Sequence, residues 1–390
     1  MKIKKLLTFC LSFCLSLVYL FLVGCGSSGG GTPKKISYIA GTTLNNSSVV
    51  RWIGRTEYKD EQMFTYYAAT GFTVKFSGTK LYVTYTATNT NSEKNRPYFV
   101  CMVDGESPEE GKSFCLTKET QTVLVADNLA SGEHTATVLK RSEPENSITS
   151  ISEIFTDGKF LKPEENDGPN VQIIGSSGIT GHGCLGTTGQ AWTTANSSPF
   201  SSFGYLSAAA FGGECQFVSA SAMGMCWTFR GVDTMANAYD AVGMIAEYND
   251  DGSTKSVKAT SKKWNHAKWT PDIVIANIGG NDWNAHISSQ TGANRVAAEN
   301  QFKTAIENLL NHIHSLYPNA VVVWAVNSKT SGNGKLANEV IQTLSFSSKI
   351  KVVEIDSTKD GADNHASAAT HAKSATAIIE AIKTFGFKTK

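Results

Sequence analysis

The 390-residue sequence has no charge of one sign to spare: 35 Lys and Arg stand against 34 Asp and Glu. Without Lys2, Lys4 and Lys5 at the amino end, 32 basic residues face 34 acidic ones, about −2. No basic field is available to draw in a phosphate backbone, so a nucleic-acid partner is not expected. No Cys-x-x-Cys pair occurs, which removes the usual zinc signature. No Gly-Lys-Ser/Thr follows any glycine loop, which removes a nucleotide phosphate cradle. Neither metal nor cofactor is expected. Beyond Val23 no apolar run approaches the length of a membrane span.

What is present begins with Lys2, Lys4 and Lys5, an apolar run of about 18 residues from Leu6 to Val23, then Gly24-Cys25. This is the order of an export signal with a small residue before the cut. Cys25 there resembles the lipobox cysteine of bacterial lipoproteins. The resemblance implies a signal peptide over 1–24, lipidation at Cys25 and a membrane anchor. The expected place is the cell envelope, with the outer membrane or cell surface as one option. Residues 25–36, rich in glycine and serine, then read as a flexible tether. Of the remaining cysteines, Cys101 and Cys115 are candidates to close a hairpin by a disulfide.

From 37 to 162 the texture is β. Phe72–Phe76, Leu81–Tyr85, Thr120–Val125 and His134–Leu139 are short β-branched or aromatic runs, separated by Ser77-Gly78, Asp104-Gly105 and Ser131-Gly132. That pattern predicts a β-sandwich. A charged, proline-bearing linker covers 163–169. From 170 to 390 the period changes. Short apolar runs at Val171–Ile174, Cys215–Ser219, Ile273–Asn277, Ala320–Val326 and Val352–Ile355 alternate with helical stretches. One stretch carries Phe302, Ile306, Leu309, Leu310 and Ile313 at 3.6-residue spacing and is closed by Pro318. Another carries Ala375, Ile378, Ile379 and Ile382. Alternation of this kind predicts an α/β domain with a parallel sheet, whose chemistry sits just after the strands.

Four loops follow those strands. Gly175-Ser176-Ser177-Gly178 follows the first and Ser221-Ala222-Met223-Gly224 the second. Gly279-Gly280-Asn281-Asp282 follows the third, and Asp363-Asn364-His365 the fifth. Taken singly, each reads as a turn, a helix cap or a solvent-facing loop. Together they supply what acyl transfer needs: a nucleophile, a base and oxyanion donors at one sheet edge.

These blocks resemble those of the SGNH (GDSL-type) hydrolases. Gly175-Ser176-Ser177 stands where that superfamily has Gly-Asp-Ser, Gly279-Gly280-Asn281-Asp282 where it has Gly-x-Asn-Asp, and Asp363-Asn364-His365 at its terminal block. A β-sandwich ahead of such a domain, with Arg51-Trp52-Ile53-Gly54-Arg55 and Ala368-Ala369-Thr370-His371, is similar to carbohydrate esterase family two. The resemblance implies a three-layer α/β/α hydrolase domain preceded by a jelly roll. It also implies removal of O-acetyl groups from xylan- or mannan-type polysaccharide. Ser177 would be the nucleophile, His365 the base, and Asp363 the residue that orients it. The oxyanion would be held by the backbone N–H groups of Ser177 and Ala222 and by the Asn281 side chain. Trp283 is expected to stack on sugar and His182 to line the cleft; His371, in the last helix, is expected to be structural. Several positions depart from the pattern: Ser176 replaces aspartate, Gly178 an isoleucine or leucine, Ala222 a glycine, and Ala366 a proline. Asp363 lies two residues before the histidine rather than three. Peptidoglycan O-acetyl groups are an alternative substrate, and a non-catalytic glycan-binding lipoprotein is an alternative function. The oligomeric state is not legible.

Overall fold

A computed structural model describes residues 37–46 and 48–390. The expected signal peptide, Cys25 and the tether lie outside the described residues. Among the described residues no helix is long and apolar enough to cross a membrane.

Strands from Ser37 to Leu161 form two antiparallel sheets of six strands each. One runs Thr56–Lys59, Gln62–Thr65, Thr149–Thr156, Leu81–Ala87, Thr120–Ala126, with Ser37–Ala40 added on Thr149–Thr156. The other runs Lys159–Leu161, Gly71–Ser77, Glu133–Lys140, Tyr98–Val103, Lys112–Cys115, with Arg51–Ile53 added on Gly71–Ser77. Alternation sets the inner faces: Leu81, Val83 and Tyr85 of the first sheet share a core with Phe72, Val74 and Phe76 of the second. The hairpin expected around Cys101 and Cys115 exists, but no disulfide closes it. Cys101 faces Lys112 and Cys115 faces Tyr98, so the two cysteines are three positions out of register and point to opposite faces. All five cysteines of the described residues are free.

The second half builds one five-stranded sheet in the order Glu214–Ser219, Asn170–Gly175, Ile273–Asn277, Val321–Val326, Ile350–Glu354. Every neighbouring pair is parallel. All five expected strands are therefore present, with ends shifted by one or two residues. Val274 and Ile275 point to opposite faces and both are 0% exposed, so the sheet is covered on both sides. Helix Phe203–Ala209 packs with Ala368–Lys383, and Gly292–Leu316 packs with Gly332–Thr343. An antiparallel ribbon, Met244–Tyr248 with Thr254–Ala259, is inserted between the second and third strands in sequence.

The described residues form one compact unit rather than two separate bodies. Ile53, Tyr67, Ala69, Val100, Met102 and Leu139 of the sandwich belong to the same apolar core as the parallel sheet. Arg55 crosses the junction fully buried, donating to Gln216 Oε1 (3.0 Å), the Ala241 carbonyl (2.8 Å) and the Tyr239 carbonyl. Burial pulls its pKa below the usual guanidinium value, opposed by the nearby tyrosines and Asp240. Arg55→Ala removes the donor from two buried carbonyls, each worth about 1–3 kcal/mol when left unpaired, while Gln216 Oε1 keeps Gln172 Nε2 at 3.1 Å. It is expected to lower unfolding free energy by at least about 2 kcal/mol in denaturant titration, with both halves melting in one transition.

Candidate active site

The strand Asn170–Gly175 delivers the first loop to the carboxyl edge of the sheet. A Cβ on Gly175 would lie 2.2 Å from the Asn277 carbonyl oxygen of the neighbouring strand, so only glycine fits the exit. Ser177 opens a short helix, Ser177–Thr180, with Ser176 at the N-cap position making no side-chain bond to it. Gly178 leaves room for a neighbour: a Cβ there would meet Asn277 Oδ1 at 2.9 Å, which accounts for the absence of the larger aliphatic residue.

The third loop turns at Gly279, at φ 106°, where a Cβ would strike Phe302 at 2.5 Å. Helix Gly280–Ala285 follows and carries Asn281 and Asp282. Asp282 is wholly buried and accepts the backbone N–H groups of Met225 (2.8 Å), Cys226 (2.6 Å) and Trp227 (2.9 Å). Its carboxylate thus clamps the second loop to the third; burial still raises its pKa despite those bonds. Asn281 Nδ2 donates to the Met223 carbonyl at 2.7 Å, and the amide has a second N–H. Ala222 sits at φ 68°, in the left-handed region that favours glycine, which gives the physical reason for the glycine expected there.

The fifth loop places His365 Nε2 2.9 Å from Ser177 Oγ. Its Nδ1 lies 2.7 Å from the backbone carbonyl of Asp363. A carbonyl only accepts, so Nδ1 carries the proton and Nε2 is free to accept from the serine. The expectation that the Asp363 carboxylate orients His365 is therefore corrected. Asp363 and Asn364 are both left-handed, at φ 51° and 56°. The two-residue spacing with this turn aims the carbonyl at the imidazole and sends the carboxylate the other way, to His182 Nε2 at 2.9 Å.

His182 does not line the cleft, as expected of it; it is buried behind the base. Its ring stacks on Trp192 (centroids 4.9 Å, planes 2° apart) and lies 4.4 Å from the His365 ring. Its Nδ1 is 3.2 Å from Ser221 Oγ and 3.5 Å from Glu143 Oε1. Glu143, fully buried, also accepts Ser221 N–H (2.7 Å), Ser221 Oγ–H (2.8 Å) and Thr180 Oγ1–H (3.1 Å). Burial pulls the His182 pKa down, but the bond and charge of Glu143, with Glu145 and Asp363, outweigh it and the net shift is upward. Burial and the His182 charge together hold His365 below the ordinary histidine value. Burial raises Glu145 to about 7, with Arg230 beside it at 3.1 Å.

Trp283 is also corrected. The Arg295 guanidinium covers its ring at 4.4 Å, and the tryptophan is not part of the cleft wall. The cleft, about 360 Å³, is walled instead by Ser177, Asn281 and His365 together with Asn284, Asn327 and Asn333. His371, expected to be structural, borders the same cleft; its Nδ1 accepts Phe203 N–H at 3.4 Å, and burial lowers it to about 4. Among the described residues, two sets of possible metal-ligand atoms lie within 4.8 Å of one another, Glu143–Glu145–His182 and His182–Asp363–His365. In both, each His182 nitrogen is already engaged by a neighbouring polar group, so they are read as hydrogen-bonded ion pairs. Glu143, Glu145 and Asp282 were missed from sequence. Only Asp282, inside the Gly-x-Asn-Asp block, carried a signal.

The family model described as carbohydrate esterase 2 N-terminal matches residues 52–163. The chain is 24% identical over 323 residues to the cellulase/esterase CelE of Acetivibrio thermocellus, covering 80% of this chain and 36% of that protein. It thus spans about a third of that relative's length. It is 23% identical over 290 residues to an acetylxylan esterase / glucomannan deacetylase of Cellvibrio japonicus, covering 74% of each. In fold it is similar to a family two carbohydrate esterase from Clostridium thermocellum in complex with cellohexaose, with a TM-score of 0.71 at 23% identity over 87% of this chain and 100% of that one. The chain therefore resembles carbohydrate esterase family two and has its GDSL-like fold.

Two outcomes follow from the geometry. Because a carbonyl backs the base, Asp363→Asn is expected to lose about tenfold in kcat/KM, not the ~10,000-fold seen when a triad aspartate is neutralised. Asparagine tolerates the left-handed turn, so the carbonyl stays in place. Because His365 must be neutral to accept a proton and its pKa is lowered, the acid limb of kcat/KM is expected below pH ~6.5, the unperturbed histidine value.

Proposed function

We propose that the chain is a serine esterase that removes O-acetyl groups from xylan- or mannan-type polysaccharide. The observation that carries this is the Ser177 Oγ–His365 Nε2 contact of 2.9 Å with Nδ1 held by a carbonyl at 2.7 Å. His365 takes the Ser177 proton as Oγ attacks the acetyl carbonyl. The backbone N–H groups of Ser177 and Ala222 and the free Asn281 N–H receive the oxyanion. His365 then returns the proton to the departing sugar oxygen, leaving an acetyl ester on Ser177. Water, deprotonated by the same imidazole, releases acetate and restores the serine. The amide-rich wall of Asn284, Asn327 and Asn333 suits a hydroxyl-bearing ligand. The substrates named for the relatives, acetylxylan and glucomannan, favour the same class.

The finer architecture belongs to this reading: a jelly roll for the sandwich and a three-layer arrangement for the hydrolase domain. So does export to the cell envelope with a lipid on Cys25, supported by the basic, apolar and small-residue order before it. Labelled palmitate should enter the expressed protein and be lost in Cys25→Ser.

Acetate release from acetylated xylan, glucomannan and peptidoglycan is the direct test. Xylan or glucomannan should be the preferred source. Ser177→Ala should abolish release, and Asn281→Ala should lower it roughly 100- to 1,000-fold while leaving a trace. Polysaccharide binding without acetate release, or full release by Ser177→Ala, would contradict the assignment.

A further inference from the structure

A buried carboxylate from the β-sandwich stands behind the base. Glu143 follows the sandwich strand Glu133–Lys140 by three residues, yet the hydrogen-bond partners of its carboxylate belong to the hydrolase half. Thr180 ends the short helix that begins at Ser177. Ser221 precedes Ala222. His182 reaches Asp363, whose carbonyl holds His365. One carboxylate therefore touches the nucleophile's helix, the second loop and the support of the base.

We propose that Glu143, acting through His182 and Asp363, is a positioning residue for the Ser177–His365 pair, so that the sandwich is part of the esterase's working site. The proposal rests on the esterase reading and deepens it.

The support is geometric and comes from several elements. His182 is stacked face to face on Trp192 and lies against His365 with the two rings tilted by 48°. The base loop is strapped to the same segment by backbone bonds: Ala362 N–H to Gly183 O (3.0 Å), Asp363 N–H to Gln190 O (3.0 Å) and Ala368 N–H to Cys184 O (2.8 Å). That segment is strapped in turn to the sandwich, by Thr194 N–H to Lys94 O (2.9 Å) and by Arg141 Nη2 to the Ala195 (3.1 Å) and Ser197 (2.8 Å) carbonyls. Asp363 and Asn364 sit in a left-handed turn closed by Gly361 N–H to His365 O (2.8 Å) and His365 N–H to Ala362 O (3.1 Å), and the bond from the Asp363 carboxylate ties that turn to His182. A buried ion pair is a poor source of stability compared with apolar packing, but a good way to select one geometry. A brace that served stability alone would be as well served by apolar residues.

This gives a test that separates positioning from folding. In Glu143→Gln and His182→Phe, kcat on acetylated xylan and on a small aryl acetate is expected to fall about tenfold to 100-fold, the scale of a misplacement near 1 Å, with KM within about twofold. The double variant should lose no more than the worse single one, since both break one chain of contacts. His182→Gln keeps a donor for Asp363 but removes the positive charge beside His365. The acid limb of kcat/KM should then move to higher pH. The other groups facing the two rings are Glu143, Glu145 with its partner Arg230, Asp363, His371, and Lys94 over Trp192. All of these remain in that variant. Folded variants with wild-type kcat and an unmoved acid limb would overturn the proposal. If Glu143→Gln does not fold, His182→Gln and His182→Phe decide it alone. Absence of acetate release by the wild-type chain would instead sink the esterase reading.

Discussion

The site depends on one hydrogen bond, from His365 Nδ1–H to the carbonyl of Asp363 at 2.7 Å. It fixes the tautomer. With the proton on Nδ1, the lone pair of Nε2 faces Ser177, and the imidazole can act as a base. A carboxylate in that place would add charge to stabilise the imidazolium; a carbonyl offers only its dipole. The protein compensates by holding the pair from behind. His182 lies close to His365, its own charge is balanced by Glu143 and Asp363, and the base is kept neutral by burial and by that neighbouring cation. The backbone that presents the carbonyl is left-handed at two consecutive residues, Asp363 and Asn364, both of types that tolerate it.

Much of the frame was legible in the sequence. The five parallel strands appear as short apolar runs because a sheet covered on both faces buries nearly every position of its inner strands. The long helix Gly292–Leu316 shows its buried stripe of Phe302, Ile306, Leu309 and Ile313 directly. Ser177, Asn281 and His365 follow from their places after successive strands. The sequence is silent where function depends on side-chain direction. Nothing in Asp363-Asn364-His365 says that the carbonyl, not the carboxylate, meets the imidazole; the left-handed turn decides that. Trp283 reads as a sugar platform only until Arg295, a full helix away in sequence, covers it. Glu143 is invisible for a related reason. It sits in a β-rich region, 34 residues before the nucleophile, with no periodic pattern around it. Its role arises only when the two halves pack.

The two halves joined by residues 163–169 pack closely: Arg55, Glu143 and Arg141 all reach across and the apolar core is shared. Arg55 donates to two carbonyls and to the Gln216 amide oxygen, and so ties the sandwich to the hydrolase half. Local geometry bears on the departures at 178 and 222 as well. Gly178 yields space to Asn277, and Ala222 takes up a turn suited to glycine.

The central claim is that Ser177 is made nucleophilic by His365 in this carbonyl-backed arrangement. Labelling with a fluorophosphonate, followed by peptide mass analysis, tests it most directly. One probe molecule should be found on Ser177, with acetate release lost in proportion, and labelling should fall sharply in a variant whose His365 is replaced by alanine. Labelling on another residue, or full acetate release from protein blocked at Ser177, would contradict the account.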